Sequence, residues 1–166
     1  MGIAHSVMEP IRQAAKGTMF ENVSPTYVLI GILLIFKFLK ARAPMQEYEG
    51  SKVVSITDIT QWKEILKENK LVIADFYATW CPPCKTAAPI FGRWSTEWDG
   101  VKFVKIDVDV ARDVAQDQAI RSMPTFKIFK DGKNIHEGSG FNQAQLLEKL
   151  KEHGAKPAAK GDKKAE

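Results

Sequence analysis

A seven-residue apolar run, Leu71–Tyr77 (LVIADFY), closes on a Cys-Pro-Pro-Cys four residues later, and this pairing limits the fold more than any other feature of the chain. A strand apolar on both faces needs cover on both faces, so the run belongs to a sheet sandwiched between helices. Pro82 and Pro83 suit the first turn of a helix, where a missing N–H costs little, so the chain passes from strand through thiol loop into helix. The expected helix covers residues 83–98 with a bend at Pro89. Before it come a short strand at Lys52–Ser55 and a helix from Asp58 to Asn69. That helix has Asp58 and Gln61 as a capping-box variant and Ile59, Trp62, Ile65 and Leu66 on one face. After it come a strand at Val101–Val108, a helix near Asp113–Ala119 and a hairpin of Thr125–Phe129 with Asn134–Glu137 turning at Asp131-Gly132. A last helix starts at Asn142, points Leu146, Leu147 and Leu150 inward, and stops before Gly154. The order β-α-β-α-β-α-β-β-α predicts an α/β fold with a mixed central sheet and helices on both faces.

Both cysteines of the chain, Cys81 and Cys84, lie in this loop. A helix N-terminus favours a negative group, so the first thiol is stabilised as the thiolate that attacks disulfides. Cys84 sits one turn inside, shielded, and placed to resolve a mixed disulfide. Half a zinc site is the competing reading. A second ligand pair would have to come from His5, His136 and His153, which form no paired spacing, so no metal is expected. Asp75 interrupts the apolar strand six residues before Cys81, where a charge is costly without a purpose. A carboxyl there has a raised pKa and can take the Cys84 proton; satisfaction by Lys105 and water is the structural alternative. Trp62, Trp94 and Trp98 fall at helical spacings suited to packing, and Asp107, Asp109, Asp113 and Asp117 read as a solvated acidic face.

The strings DFYATWCPPCK (75–85), Pro89, KIDVD (105–109), SMPTFKIFKDGK (122–133) and GSGFNQAQL (138–146) resemble the thioredoxin family, over about residues 50–153. The resemblance implies a thioredoxin fold and a dithiol–disulfide oxidoreductase acting on protein disulfides. Cys81 would be the nucleophile and Cys84 the resolving thiol, with Asp75 the buried carboxylate behind Cys84 and Lys105 beside it. Pro124 would be the cis proline facing the thiols, and the backbone of Met123 would pair with a substrate strand. Trp80, Met123, Pro124 and Gly140 would line the substrate groove. No bound cofactor is implied beyond the Cys81–Cys84 disulfide, with electrons from NADPH through a thioredoxin reductase and a monomeric domain.

One departure stands out: thioredoxins typically carry Gly-Pro between the cysteines, and this chain carries Pro82-Pro83. Pro-Pro also occurs in membrane-tethered thiol reductases that serve cytochrome maturation and in nucleoredoxin-like proteins. The 40 residues from Cys84 to Pro124 match the compact thioredoxin spacing. A reductase for cytochrome maturation and a non-enzymatic docking module of a membrane complex remain the alternatives.

The flanks carry a different signal. Residues 1–45 hold a net charge of +3 and residues 154–166 of +2, while 46–153 are net −1. The overall excess of +4 therefore belongs to the ends, and nucleic acid is not an expected partner. After a polar segment at 1–22, residues 23–40 read as a single membrane-spanning helix; from Tyr27 to Leu39 only Lys37 is not apolar. Lys37 and Lys40 could snorkel to the headgroups, and a buried helix packed on the domain is the alternative. Lys37, Lys40 and Arg42 outnumber Arg12 and Lys16, which places the domain on the cytosolic side. The opening MGIAHS fits N-myristoylation at Gly2 with Ser6, which would put the N-terminus in the cytosol instead. A mitochondrial or other organelle membrane is the alternative. Residues 41–51 are expected to be a linker, 52–153 the redox domain, and 154–166 a disordered Lys/Ala-rich tail.

Overall fold

The computed structural model describes residues 24–41 and 45–158. Gly2, Ser6, Arg12 and Lys16, Arg42, and the tail beyond residue 158 lie outside the described residues. The chain divides into two units, residues 1–40 and 41–166.

In the first unit, Ser24 accepts the amide of Thr26 and opens helix α1, Pro25–Ala41. Its large apolar side chains, among them Leu29, Leu33 and Phe36, are exposed. Among the described residues no helix is long and apolar enough to cross a membrane.

The second unit carries β1 (Val54–Ile56), α2 (Ile59–Glu68), β2 (Leu71–Tyr77), α3 (Pro82–Glu97), β3 (Trp98–Asp99) and β4 (Lys102–Asp107). It continues through α4 (Arg112–Asp117), β5 (Thr125–Lys130), β6 (Lys133–Ser139), α5 (Gln143–Glu152) and β7 (Lys156–Pro157). The main sheet has the order β1-β4-β2-β5-β6. β1 and β2 run parallel to β4, while β5 is antiparallel to β2 and β6. The expected mixed sheet is present, with β2 at its centre and all seven β2 residues buried.

Alternation along β2 sorts its side chains between two cores. Leu71 and Ile73 join Phe91, Trp94, Phe103, Phe126, Leu146 and Leu150 beneath α3 and α5. Val72, Ala74 and Phe76 join Trp62, Val104, Ile106, Val114 and Phe129 beneath α2 and α4. Trp62 and Trp94 are core residues, as their spacing suggests, and each buried aromatic contributes on the order of 3 kcal/mol. Asp58 caps α2 by accepting the amides of Thr60 and Gln61, and Asn142 caps α5 through Gln145. Asp131 and Gly132 both take positive φ (48° and 75°), the two-residue turn that a right-twisted hairpin selects.

Three structural details bear on these expectations. Beyond residue 153, Ala155 is buried, and Lys156–Pro157 pairs with Trp98–Asp99 in a second small sheet. The stretch 45–51 is not a free linker, because Lys52 donates its amide to Ser95 Oγ at 2.8 Å and Met45 packs against the cysteines. The acidic face is partly structural: Asp113 accepts the amides of Ile59 and Val114, and Asp107 accepts that of Asp109.

Candidate active site

The N-terminus of α3 follows directly from its sequence. A helix start leaves its first amides without partners, and Pro82 and Pro83 remove two of them. Cys81 is the N-cap, and the next amide, that of Cys84, points at Cys81 Sγ at 3.4 Å. A negative charge on Cys81 sulfur is therefore met by an N–H and by the helix dipole. The two cysteines form a disulfide, their Cα atoms 5.3 Å apart. Cys81 and Cys84 are 3% and 0% exposed, so the contrast between an attacking and a shielded thiol is small in this oxidised state.

Around the disulfide lies a small buried cluster. Tyr77 and Ala78 lie in the same buried cluster, with Met123 and Val108 packed against it. The Met123–Pro124 peptide is cis, as the family resemblance implied. Gly140 donates its amide to Pro124 O at 2.7 Å, and its φ of +81° explains why this position suits glycine. Thr125 Oγ1 donates to Ser122 O, and Ser122 Oγ meets Ser139 Oγ at 2.9 Å, fastening the proline loop to β6. Trp80 is 56% exposed, and its indole N–H donates to Asp109 Oδ2 at 2.7 Å. Sequence reasoning gave Asp109 no role, since a contact across 29 residues leaves no local pattern.

Asp75 faces the α3 side of β2 and pairs in register with Lys105 and Phe126. Its Oδ1 is buried with no hydrogen-bond partner. Burial alone raises its pKa to about 8. The carboxyl borders a cavity of about 20 Å³, room for one water molecule, which Ala88, Phe91 and Gly92 of α3 also line. Ala88 lies one turn beyond Cys84 on that helix, and Met45, which also lines the cavity, packs against the cysteine cluster. Tyr77, one step along the same face, has its hydroxyl pushed up to about 12 by burial and by Asp107 and Asp75, so of the two groups Asp75 is the one that gains and loses its proton closer to neutral pH.

Lys105 stands beside Asp75 in the sheet, as expected, but its ammonium pairs with the carboxylate of Glu47. Burial lowers its pKa. Glu47, Tyr48, Ser51 and Met45 complete the cavity wall. These residues were not foreseen, because Glu47 and Lys105 are 58 positions apart.

A family model for thioredoxin matches residues 52–152. The chain belongs to the thioredoxin family. Thioredoxin-1 of Schizosaccharomyces pombe is 38% identical over 99 residues, covering 60% of this chain and 96% of that protein. Thioredoxin-2 of Pyricularia oryzae is 44% identical over 94 residues, and there the match spans 55% of the relative. The crystal structure of a thioredoxin from Nicotiana alata superposes with a TM-score of 0.61 at 37% identity, covering 65% of this chain and 97% of the other. The thioredoxin domain is a thiol–disulfide oxidoreductase domain whose redox group is the Cys81–Cys84 disulfide.

Proposed function

We propose that this thioredoxin-family protein reduces protein disulfides through Cys81-Pro82-Pro83-Cys84 while held at a membrane by α1. In the reduced protein the Cys81 thiolate attacks one sulfur of a substrate disulfide. A mixed disulfide forms and the other substrate sulfur leaves as a thiolate, which takes up a proton. Cys84 then gives its proton to the carboxylate form of Asp75 and attacks Cys81 Sγ. The mixed disulfide breaks, the second substrate sulfur leaves as a thiolate that takes up a proton, and Cys81–Cys84 is oxidised as two electrons pass to the substrate. Trp80, Met123, Pro124 and Gly140 accept the substrate segment, with the Met123 backbone pairing to it. Electrons return from NADPH through a thioredoxin reductase.

The observation that carries this reading is the disulfide itself, capped by the α3 N-terminus and packed against Met123. The test is trapping with the full-length chain. Cys84→Ser accumulates mixed disulfides with protein substrates, visible on non-reducing gels, whereas Cys81→Ser accumulates none. Trapping by Cys81→Ser alone would reverse the assignment of nucleophile.

Attachment to a membrane rests on the apolar side chains exposed along α1. Its 17 residues extend about 26 Å, short of the roughly 30 Å hydrocarbon layer, and Lys37 near its end would reach for headgroups. The domain then lies on the cytosolic side, at an organelle membrane such as the mitochondrial one in the alternative. Protease protection in sealed vesicles reads the side directly, and recovery of the full chain in the soluble fraction would refute the attachment.

A further inference from the structure

The wall of the Asp75 cavity includes residues that lie outside the strands and helices of the domain. Residues 45–51 cross it as a strap and are fastened at several points. Ser51 N–H closes a turn onto Tyr48 O at 3.0 Å, and Lys52 N–H donates to Ser95 Oγ, which in turn donates to Gly92 O at 2.6 Å. The fit against α3 is close. A Cβ placed on Gly92 would come within 2.9 Å of Tyr48 Cβ and 3.4 Å of Tyr48 N, so a side chain there would displace the strap's backbone. Met45, at the strap's other end, packs against the cysteine cluster. This segment sits where it does because the helix has been cleared for it.

The strap brings one charge to the cavity. The Glu47 carboxylate pairs with the Lys105 ammonium, and Lys105 is the cation aligned with Asp75 across the β2–β4 ladder. The other ionisable groups on Asp75's face are Tyr77 on β2 and Asp107 on β4; α3 lines the cavity with Ala88, Phe91 and Gly92, and β5 opposes Asp75 with Phe126. Among the described residues, Lys105 is the cation aligned in register with Asp75, and Glu47 already pairs with it.

We propose that Glu47 is a positioning residue, carried by the 45–51 strap, which draws the Lys105 ammonium away from Asp75 and so keeps Asp75 free to accept the proton of Cys84. A carboxylate tied to an ammonium binds protons weakly and is a poor acceptor at neutral pH. With Lys105 held by Glu47, Asp75 keeps the high proton affinity that its burial confers. The inference rests on the role given to Asp75 above.

The test is the titration of Asp75 followed by carboxyl carbon NMR in the full-length oxidised protein. Glu47→Gln is a change at a solvent-facing side chain and leaves the core intact. It frees Lys105 to turn to Asp75, and the Asp75 midpoint falls by about one pH unit, a roughly ten-fold loss of proton affinity. In a Lys105→Met background the same Glu47→Gln change moves the midpoint by less than a third of that. An unmoved midpoint in the single variant overturns the inference. An equal fall in both backgrounds also overturns it, because the strap would then act by excluding water and not through Lys105. Failure of the underlying reading looks different: the Asp75 midpoint falls as expected, but the pH profile of disulfide reduction does not move with it.

Discussion

Asp75 and Lys127 are buried to nearly the same degree, at 3% and 5% exposed, on neighbouring strands of one sheet. Lys127 lies opposite Ala74 on the face beneath α2 and α4, and its ammonium has two partners. It pairs with Glu137 at 2.9 Å and donates to Gln118 O at 2.7 Å, a carbonyl at the negative end of α4. Asp75, on the opposite face, has a buried oxygen without a partner, and Lys105, aligned with it on β4, is paired with Glu47. A buried charge that serves the fold is compensated where it stands, because removing it from water costs several kcal/mol. Asp75 escapes that cost by holding its proton, and a carboxyl that holds its proton near neutral pH can exchange it with a thiol.

The contrast can be broken most forcefully at Asp75. Its folded pKa of about 8 lies above the ordinary 3.8, so between these values the unfolded chain is ionised and the folded one protonated. The unfolded state then binds fewer protons, and stability falls as pH rises from about 4 to about 8. Asp75→Asn removes this loss. It should raise the unfolding free energy relative to the native protein by up to roughly 5 kcal/mol at pH 8, with the gain vanishing toward pH 4. Urea unfolding across that range checks it, and a difference independent of pH would contradict it. Lys127→Met should act in the opposite sense, destabilising by about 3 kcal/mol because Gln118 O loses its donor and Glu137 its partner, while disulfide turnover is unchanged. Glu137→Gln is the smallest change. Glu137 is half exposed and Lys127 keeps the carbonyl, so the loss should be about 1 kcal/mol or less. A loss as large as that of Lys127→Met would show that the ion pair, and not the helix carbonyl, satisfies Lys127.

Sequence reasoning located what local pattern encodes. The apolar run of β2, the prolines after Cys81, the Asp131-Gly132 turn and the caps at Asp58 and Asn142 each act within a few residues, and each stands where it was expected. Pro124 and Gly140 were named through family resemblance, and the fold joins them by one hydrogen bond. What escaped detection depends on distance along the chain. The pairing of Trp98–Asp99 with Lys156–Pro157 is two residues long and has no periodicity to read. The Trp80–Asp109 bond and the Glu47–Lys105 pair join positions 29 and 58 residues apart. Glu47 lies in a polar stretch with the composition of a linker, and only the tertiary fit of Tyr48 against Gly92 shows that the stretch is seated.

The account turns on Asp75 taking the proton of Cys84, and the most direct measurement is the decay of a mixed disulfide preformed on Cys81, followed against pH. In the native protein the decay should accelerate through a midpoint near 8. In Asp75→Asn it should be slower at pH 7 by on the order of 100-fold and show no such midpoint. Equal rates and equal pH profiles in the two proteins would contradict it.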